Sequence, residues 1–527
     1  MKERWRKNLV YLGLVAAIAL LATTLPPETY GARKQELRIA FDAGDTMGFD
    51  PHKQAPPDMD AFVNATIYRG LVRFKPGDTH PDKIEPDMAE SWDVSKDRLV
   101  WTFKIRKGIQ WHKGFGEFTA QDAEYSLRRS MDPTKCFAAR NYEAVKEVKT
   151  LDRYTLQINL KQPVPSLLGL LTNYHGGMMV CSRALEKYDK DYPLNPIGTG
   201  PFMFESYEPQ QKTVLARHDQ YFRGKPILEK IVVRYMTDLT TREFAIQKGD
   251  VDVTQGLREQ QWVEKMSPYK DITVDVFGPG EMVSIFLNQS KKPLDDVRVR
   301  RAISHAINKD ELMKMIGKDV TSPLKSVIPA NYLGGIEKGL PEYDFNIEKA
   351  KKLLAEAGYP KGIDLEMVNT EMMVYWRPME VIQEHLRKAG INLKINPVVH
   401  SAFHSLIRKD VNPIVMYICA RFPVADIYLT QFFHSRSTIG TPTAVTNFSH
   451  YTSIDNLLDE ARVSSRPDEQ KRMWQEAQRK ILEDAVAYPL YISKFVYGRK
   501  NYVDYGYKLD STLIYAPEVF ENTRLLD

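Results

Sequence analysis

Cysteine is scarce in this chain of 527 residues, which contains only Cys136, Cys181 and Cys419. In an oxidising compartment an odd number of cysteines leaves at least one thiol unpaired. Spacing does not set connectivity, so a disulfide between Cys136 and Cys181 stays open, with Cys419 as a free, buried thiol. No cysteine lies near the N-terminal apolar segment, which excludes a lipoprotein.

Motifs of hydrolytic and nucleotide-binding sites are also missing. The chain has no Gly-x-Ser-x-Gly elbow, no His-Glu-x-x-His zinc helix and no Gly-x-x-x-x-Gly-Lys phosphate loop. His400 and His404 have the i, i+4 spacing of a metal-binding pair, but no Cys, Asp or Glu nearby supplies a third ligand. The sequence therefore predicts no catalytic residue, no metal and no cofactor.

A strong excess of one charge is lacking too. The formal net charge is +5, and the charged residues up to Glu28 carry +2 of it, which leaves +3 for the remainder. This mild balance gives no indication of a nucleic-acid partner. Internal repeats and low-complexity linkers are absent as well, so the two or three lobes expected for this length are joined by ordinary chain crossings.

The long apolar run lies at the N-terminus. Basic residues at Lys2, Arg4, Arg6 and Lys7 precede an uncharged stretch whose apolar part extends from Leu9 to Leu25. This pattern, followed by the small residue Gly31, predicts a signal peptide over residues 1–32 that is removed on export. An uncleaved anchor is the alternative. We therefore expect the mature protein in the periplasm.

Helical and extended segments alternate along the rest of the chain, which favours an α/β architecture. Strands are predicted at 99–105 and 154–160, each with one buried face. Between them, Thr119 and Asp122 form a capping pair for a helix that extends to about Arg129. Together these segments predict a small α+β unit over residues 63–185.

Further helices are marked by their ends. Asn346 is a predicted N-cap, and Gly358 and Pro360 end the helix that follows. Another helix is predicted from Met379 to Ala389, with Trp376 ahead of it, and leads into a strand at 393–396. The last long helix is predicted to begin at Pro467.

Several segments, in order, resemble the peptide and nickel branch of extracytoplasmic solute-binding proteins of ABC importers, family 5. They are AESWDVSKDRLVWTFKIRKGIQWHKG from Ala89, FTAQDAEYSLRR, NPIGTGPFMF from Asn195, HDQYFRGKPILEKIVVRY, AIQKGDVDV, LNQSKKPLDDVRVRRAISHAINKDEL from Leu287, and YDFNIEKAKKLLAEAGYPKG from Tyr343. A single such motif is weak, whereas this many in register are specific.

The resemblance implies a class II periplasmic binding protein-like fold, with two lobes joined by a hinge of two chain crossings. Lobe one would comprise residues 33–62, 186–285 and 500–527, and the α+β unit 63–185 would be inserted in it. Lobe two would comprise residues 286–499. Ligand would be enclosed between the lobes.

The same resemblance points to Arg421. Peptide-binding relatives place an aspartate just after a lobe-two strand, where it holds the α-amino group of an extended peptide. The matching stretch here, MYICARFPVADIYLTQFF from Met416, has Arg421 at that position. Either the ligand offers an anionic group, or the alignment is shifted and Asp426 is the clamp, or Arg421 is an interlobe or surface salt-bridge residue.

Other ligand contacts are expected around the cleft. His400 occupies the position of an aromatic cleft residue in relatives, while the residues flanking Arg421 suit apolar side-chain pockets, although core packing is an equal interpretation. The opposite walls have three aromatic candidates. The residues near Arg421 are Tyr417, Ile418 and Phe422. The aromatic candidates for the opposite walls are Trp111, Trp376 and Tyr497.

The resemblance implies a binding protein and not an enzyme. It would act as a monomer, capture a small solute such as a peptide or a peptide-like or anionic compound, and deliver this solute to a membrane permease and ATPase. A secreted peptide hydrolase and a ligand receptor for a membrane sensor are the alternatives. A binding protein for import and one for signalling would bind ligand in the same way.

Overall fold

The computed structural model describes residues 33–53, 58–164, 166–172, 174–440, 446–464 and 466–527. The predicted signal peptide, residues 1–32, lies outside the described residues. Within the described ranges, no helix has both the length and the apolar character needed to cross a membrane.

The helices are distributed along the whole described chain. They are α1 (Asp58–Ile67), α2 (Ala120–Met131), α3 (Leu167–Leu170), α4 (Ser182–Tyr188), α5 (Leu239–Lys248), α6 (Gln260–Met266) and α7 (Val297–Ala306). The later ones are α8 (Lys309–Ile316), α9 (Ile347–Glu356), α10 (Met373–Lys388), α11 (His400–Ile407), α12 (Ala425–Phe433), α13 (Asp455–Val463) and α14 (Pro467–Glu483).

The strands alternate with these helices. They are β1 (Glu36–Phe41), β2 (Val72–Phe74), β3 (Ile84–Pro86), β4 (Ala89–Val94), β5 (Val100–Ile105), β6 (Val145–Asp152), β7 (Thr155–Leu160), β8 (Phe202–Glu208) and β9 (Lys212–Arg217). The later ones are β10 (Lys230–Tyr235), β11 (Val253–Gln255), β12 (Ile272–Leu287), β13 (Thr321–Pro323), β14 (Ile363–Thr370), β15 (Ile391–Val398), β16 (Ile414–Cys419), β17 (Ala487–Lys500), β18 (Val503–Asp504) and β19 (Arg524–Leu525).

A nine-stranded mixed sheet forms the centre of the molecule. Its order is β16-β12-β17-β11-β1-β10-β9-β8, and β13 adds to β17. Strand β1 pairs in parallel with both β10 and β11, whereas β12 pairs antiparallel with β16 and β17. Strands β14 and β15 form a separate parallel pair. The predicted α/β architecture is confirmed.

The α+β unit forms around a second sheet of order β4-β5-β7-β6. Strands β5 and β7 are the two strands that alternation predicted. The backbone N–H of Thr119 donates to the Asp122 carboxylate at 2.9 Å, as expected of a capping box, and α2 extends to Met131. The cap thus fixes where this helix leaves the sheet.

Other helix ends agree with the sequence signals, with one correction. Asn346 accepts from the N–H of Lys349 at 2.9 Å, and α14 begins at Pro467. Helix α10, however, begins at Met373, so Trp376 lies in its first turn and not ahead of it. The prediction followed the apolar positions after Pro378, but this proline lies inside the helix.

Two hydrophobic cores meet along β12 and β17. Phe277 and Phe495 belong to the core around β1, whereas Val283 and Tyr491 belong to the core around α10 and α14. Each of these two strands therefore passes from one core to the other. The register of the pair shifts between Phe277 and Glu281, where the crossing occurs.

The cysteines are all free and buried. Cys136 lies in a small cluster with Ala138 and Ala139, while Cys181 belongs to the core around β1. The disulfide that their number left open is therefore not formed.

Candidate functional site

The structure contains a main cavity of about 670 Å³ and a smaller cavity of about 460 Å³. The main cavity lies where the two cores face each other. Its walls come from the carboxyl ends of parallel strands. Asp42 follows β1 and Gly256 follows β11 on one side, while Met372 follows β14 and His400 follows β15 on the other. Backbone groups at such strand ends are not used by the sheet, which is why α/β proteins bind ligands there.

Three further strands close the base of this main cavity. Strand β12 contributes Glu281, β17 contributes Tyr491 and Ser493, and β16 contributes Ile418. Because β12 and β17 belong to both cores, the base of the cavity is also the place where the chain passes between them. A solute bound here contacts both halves of the molecule.

Acidic side chains surround one arginine on the wall near β1. Arg258 forms an ion pair with Glu281 and lies 3.9 Å from the Asp58 carboxylate through Nη2. The amide of Gln255 donates to Asp58 at 3.0 Å. Burial raises the pKa of Asp58 to about 6, although the Arg258 charge opposes this shift. This end of the cavity holds two carboxylates against one cation.

Arg421 lies in the loop between β16 and α12, and its surroundings differ from those of Arg258. Its Nε donates to Oε1 of Gln431 at 2.9 Å, its Nη1 donates to the carbonyl of Ala420 at 2.7 Å, and the guanidinium lies 5.8 Å from the ring of Phe432. Within the described part of the chain no carboxylate pairs with it. The cation is held by neutral groups alone.

The histidines around Arg421 are neutral at physiological pH. Burial, with a further contribution from the positive charge of Arg421, lowers the pKa of His175 to about 3. Burial and the neighbouring His400 lower the pKa of His404 to about 4. Because these histidines carry no charge, Arg421 is the positive group that could pair with an anion here.

The His400 and His404 rings lie 4.9 Å apart, nearly perpendicular, and both residues line the main cavity. Nδ1 of His400 lies 3.2 Å from the hydroxyl of Thr370 at the end of β14. No group of three metal-binding side chains occurs among the residues that the structure describes. The pair thus contributes polar ring edges to the wall.

The other predicted contacts occupy different surroundings. Ile418 lines the main cavity, and Trp376 is flanked in α10 by Tyr375 and Arg377, which both line it. Tyr417 packs against Phe432 and Phe448 beside the main cavity. Ile418 therefore belongs to the wall itself, whereas Tyr417 and Trp376 lie beside it.

Phe422 and the remaining aromatic candidates are packed. Phe422 lies 5.5 Å from the ring of Phe74, and Trp111, only 1% exposed, packs against Phe118. Tyr497 is also 1% exposed and packs against Phe41. Burial raises the pKa of the Tyr497 hydroxyl well above its ordinary value, and the charge of the nearby Asp58 raises it further.

Asp426 faces away from Arg421. Its carboxylate is 3.3 Å from Nη2 of Arg462, and it lines the smaller cavity. Sequence analysis did not find Asp58, Arg258 or Glu281. An acid at a helix start, such as Asp58, suggests only a helix-dipole role in the sequence.

Comparison with known proteins gives a consistent result. Residues 83–439 match the family model described as bacterial extracellular solute-binding proteins, family 5 middle. The chain is similar to MoaA of A. tumefaciens R10 in complex with mannopinic acid, with 38% identity and a TM-score of 0.85 over 94% of this chain and 100% of that one.

Peptide-binding proteins are also similar. DppA from Helicobacter pylori, in complex with the peptide STSA, is 28% identical, with a TM-score of 0.80 over 93% of this chain and 98% of that one. The dipeptide-binding protein of Escherichia coli (strain K12) is 29% identical over 407 residues, which are 71% of this chain and 74% of the relative.

Proposed function

Since the chain belongs to family 5 of the bacterial extracellular solute-binding proteins, we propose that it binds an anionic solute in the main cavity and delivers it to an ABC permease. The likenesses confirm the two-lobed, class II fold that the motifs predicted. The observation that carries the anionic ligand is Arg421, which is enclosed among neutral groups and lies three residues after Ile418 of the cavity wall, close to His404.

The physical argument is the cost of an enclosed cation. A guanidinium withdrawn from water needs a partner of opposite charge, and a carboxylate matches its planar fork with two hydrogen bonds. Gln431 and Ala420 use Nε and Nη1. Nη2 and the second N–H of Nη1 have no hydrogen bond to a described residue, so they can form the two hydrogen bonds to a ligand. A solute carboxylate would complete this site, and a free ammonium group would be repelled.

The most similar of the reported structures supports this choice. MoaA, at 38% identity, holds mannopinic acid, and we propose an acid of this kind as the solute here. A peptide is the second candidate, because Asp58 and Glu281 offer carboxylates to an α-amino group at the other end of the cavity. DppA from Helicobacter pylori, at 28% identity, holds a peptide.

The division of the chain into two lobes is part of this proposal. Lobe one comprises residues 33–62, 186–285 and 500–527 with the insert 63–185, and lobe two comprises residues 286–499. The two cores support this division except near its boundaries, because Met282 and Val283 belong to the core of lobe two and Phe495 and Tyr497 to that of lobe one. We place the actual crossings at 278–281 and 492–495, where β12 and β17 pass between the cores.

The finer roles are part of the same proposal. Arg421, Ile418 and His400 contact the solute, and Trp376 lies at the rim. Tyr417 and Tyr497 support the walls from behind, whereas Phe422 and Trp111 are packed in the cores and Asp426 lines the smaller cavity. The protein acts in the periplasm after removal of residues 1–32, as a monomer and without catalysis, and its partners are a membrane permease and ATPase.

The test is calorimetric binding of mannopinic acid and of free and N-acetylated peptides to residues 33–527. Arg421→Ala should weaken binding of the acid by about 1.5–3 kcal/mol, roughly 10- to 150-fold, because one charge-assisted hydrogen-bond partner is lost. The exposed Arg472→Ala is the matched control. Equal affinity of wild type and Arg421→Ala removes Arg421 from the site.

Peptides with free amino ends separate the two candidates. If they bind better than acetylated ones and Arg421→Ala leaves this unchanged, the anionic solute is wrong and the carboxylates of Asp58 and Glu281 hold the ligand. If acids bind and peptides do not, the first candidate stands.

A further inference from the structure

The smaller cavity, of about 460 Å³, lies outside the site described above. Its walls come from two parts of the chain that are far apart in sequence. One part is residues 140–170 of the inserted α+β unit, and the other is residues 426–462, which contain α12 and α13. Any occupant therefore contacts both lobes.

The charges that line this cavity are unbalanced. Four cations and two carboxylates face it, which gives a net charge of +2 for the wall. These residues are Arg140, Lys161, Arg436 and Arg462, and Glu143 and Asp426. Bringing like charges from both lobes into one enclosed space is unfavourable unless an anion joins them.

Internal bonds fix the cations of the wall, of which Arg462 is buried and Arg140 and Lys161 are exposed. Arg462 lies 3.3 Å from Asp426 and 3.4 Å from Asp459, and it donates to the Thr430 hydroxyl at 2.5 Å. The ε-ammonium of Lys161 donates to the carbonyl of Glu143 at 2.8 Å, and the Glu143 carboxylate is 4.0 Å from Arg140. These contacts hold the cations in place and leave hydrogen-bond donors free.

Arg436 is the cation that protein groups do not pair. In the described chain its guanidinium has no ion pair and no hydrogen bond, and only its backbone N–H is bonded, to Nδ1 of His434. Desolvation in the cavity and the nearby charge of Arg462 lower its pKa, although the more distant carboxylates of Asp459, Asp426 and Glu143 oppose this shift. An unpaired guanidinium beside a second arginine is the arrangement that oxyanions stabilise.

A neutral side chain connects this cavity with Arg421. The Oε1 of Gln431 accepts from Nε of Arg421 at 2.9 Å, while Gln431 also lines the smaller cavity. Its amide nitrogen has no hydrogen bond to another described residue. This nitrogen is a further donor for an anion. The side chain of Gln431 separates Arg421 from the smaller cavity.

We propose that this cavity binds a multiply charged oxyanion, of phosphate or carboxylate type, between Arg436 and Arg462 of lobe two and Arg140 and Lys161 of the insert. The anion bridges the lobes and stabilises their closed arrangement. It comes either from free inorganic phosphate or from a second acidic group of the transported solute. Only the second source rests on the proposed function.

The test uses thermal unfolding of the periplasmic protein in sodium phosphate, compared with sodium chloride at equal ionic strength. Wild type should gain stability with a saturable dependence on phosphate, because only the native state binds it. Arg436→Gln should weaken the apparent phosphate affinity about 10-fold, and the exposed Arg472→Gln should not change it.

Two results overturn the proposal. One is an equal effect of phosphate and chloride on wild type, which leaves only ionic screening. The other is a phosphate response that survives in Arg436→Gln but disappears in Arg421→Ala, which places the anion at the main site. A failure of mannopinic acid binding, by contrast, affects only the proposed function.

Calorimetry of mannopinic acid with and without saturating phosphate separates the sources. Competition in wild type that is relieved in Arg436→Gln shows that an acidic group of the solute uses this cavity. Independent binding of both compounds shows that free phosphate occupies it. Competition of equal strength in wild type and Arg436→Gln overturns the separate site.

Discussion

At the scale of single residues, the main cavity has an acidic wall, and a cation lies close to its lining residue His404. Arg421 is a cation held by the neutral groups of Gln431 and Ala420, whereas Asp58 and Glu281 are carboxylates that share Arg258. Electrostatic groups fixed in this way orient a solute before any apolar contact forms. If the proposed site is correct, we expect charge to set the direction of the bound solute.

Asp58 predicts a pH dependence of stability. Its pKa is about 6 in the folded protein and about 3.9 in an unfolded chain, so the folded state holds the proton more tightly. This contribution to stability is fully present below about pH 4 and is lost as the pH rises through 6. Asp58→Asn should therefore gain about 1–2 kcal/mol relative to wild type between pH 4 and pH 7, after allowance for solvent screening.

Denaturant unfolding at pH 4, 5, 6 and 7 measures this change. The exposed Asp250→Asn serves as control, because it removes a carboxylate outside the cavity. A constant difference between Asp58→Asn and wild type at all four values would show that Asp58 does not titrate in this window.

At the scale of elements, the loop after β16 docks onto the short helix α3. Phe422 of this loop packs so closely that a Cβ on Gly169 would lie 1.8 Å from its ring. The ring also packs against Phe74 of β2, at 5.5 Å. A buried ring held on two sides cannot move aside, so Gly169 is required by packing and not by its backbone angle.

Gly169→Ala tests this contact. Alanine favours a helix over glycine by about 1 kcal/mol, but overpacking costs about 1–3 kcal/mol, so we expect a net loss of stability. Phe422→Leu lacks the outer ring atoms and should restore stability in the double variant relative to Gly169→Ala. Thermal unfolding of the four proteins measures the coupling. A stabilised Gly169→Ala protein would contradict the packing.

At the scale of the whole molecule, contacts across the mouth of the main cavity hold the lobes together. Arg377 of α10 lies 2.9 Å from Glu259, and Gln260 donates to Asp319 at 2.7 Å. These residues belong to different lobes in the proposed division. The side chains are partly exposed, so each contact contributes less than about 1 kcal/mol.

Charge reversal tests this closure. Arg377→Glu places two carboxylates together and should shift the ligand-free protein towards open forms, which raises its radius of gyration in small-angle X-ray scattering. The double variant Arg377→Glu with Glu259→Arg should return it towards the wild-type value. An unchanged radius in the single variant, or no recovery in the double variant, would show that this pair does not hold the lobes.

Much of the fold was predictable because its signals are local. Alternation located β5 and β7, and side chains close in sequence fixed helix starts at Thr119, Asn346 and Pro467. Such caps act over three or four residues, so sequence carries them completely. The start of α10 was missed, since Pro378 inside a helix is locally indistinguishable from one that begins it.

The sequence by itself determined the family and the two-lobed fold, because several motifs in register are enough for both. It also singled out Arg421 as a candidate, because its residue type differs from the aspartate of peptide-binding relatives. Only the tertiary structure brought Asp58, Arg258 and Glu281 together, and only it separated Asp426 from Arg421. The reason is physical: these groups meet through the crossing strands β12 and β17 and the packing of two cores. Local patterns do not encode which distant side chains share a cavity.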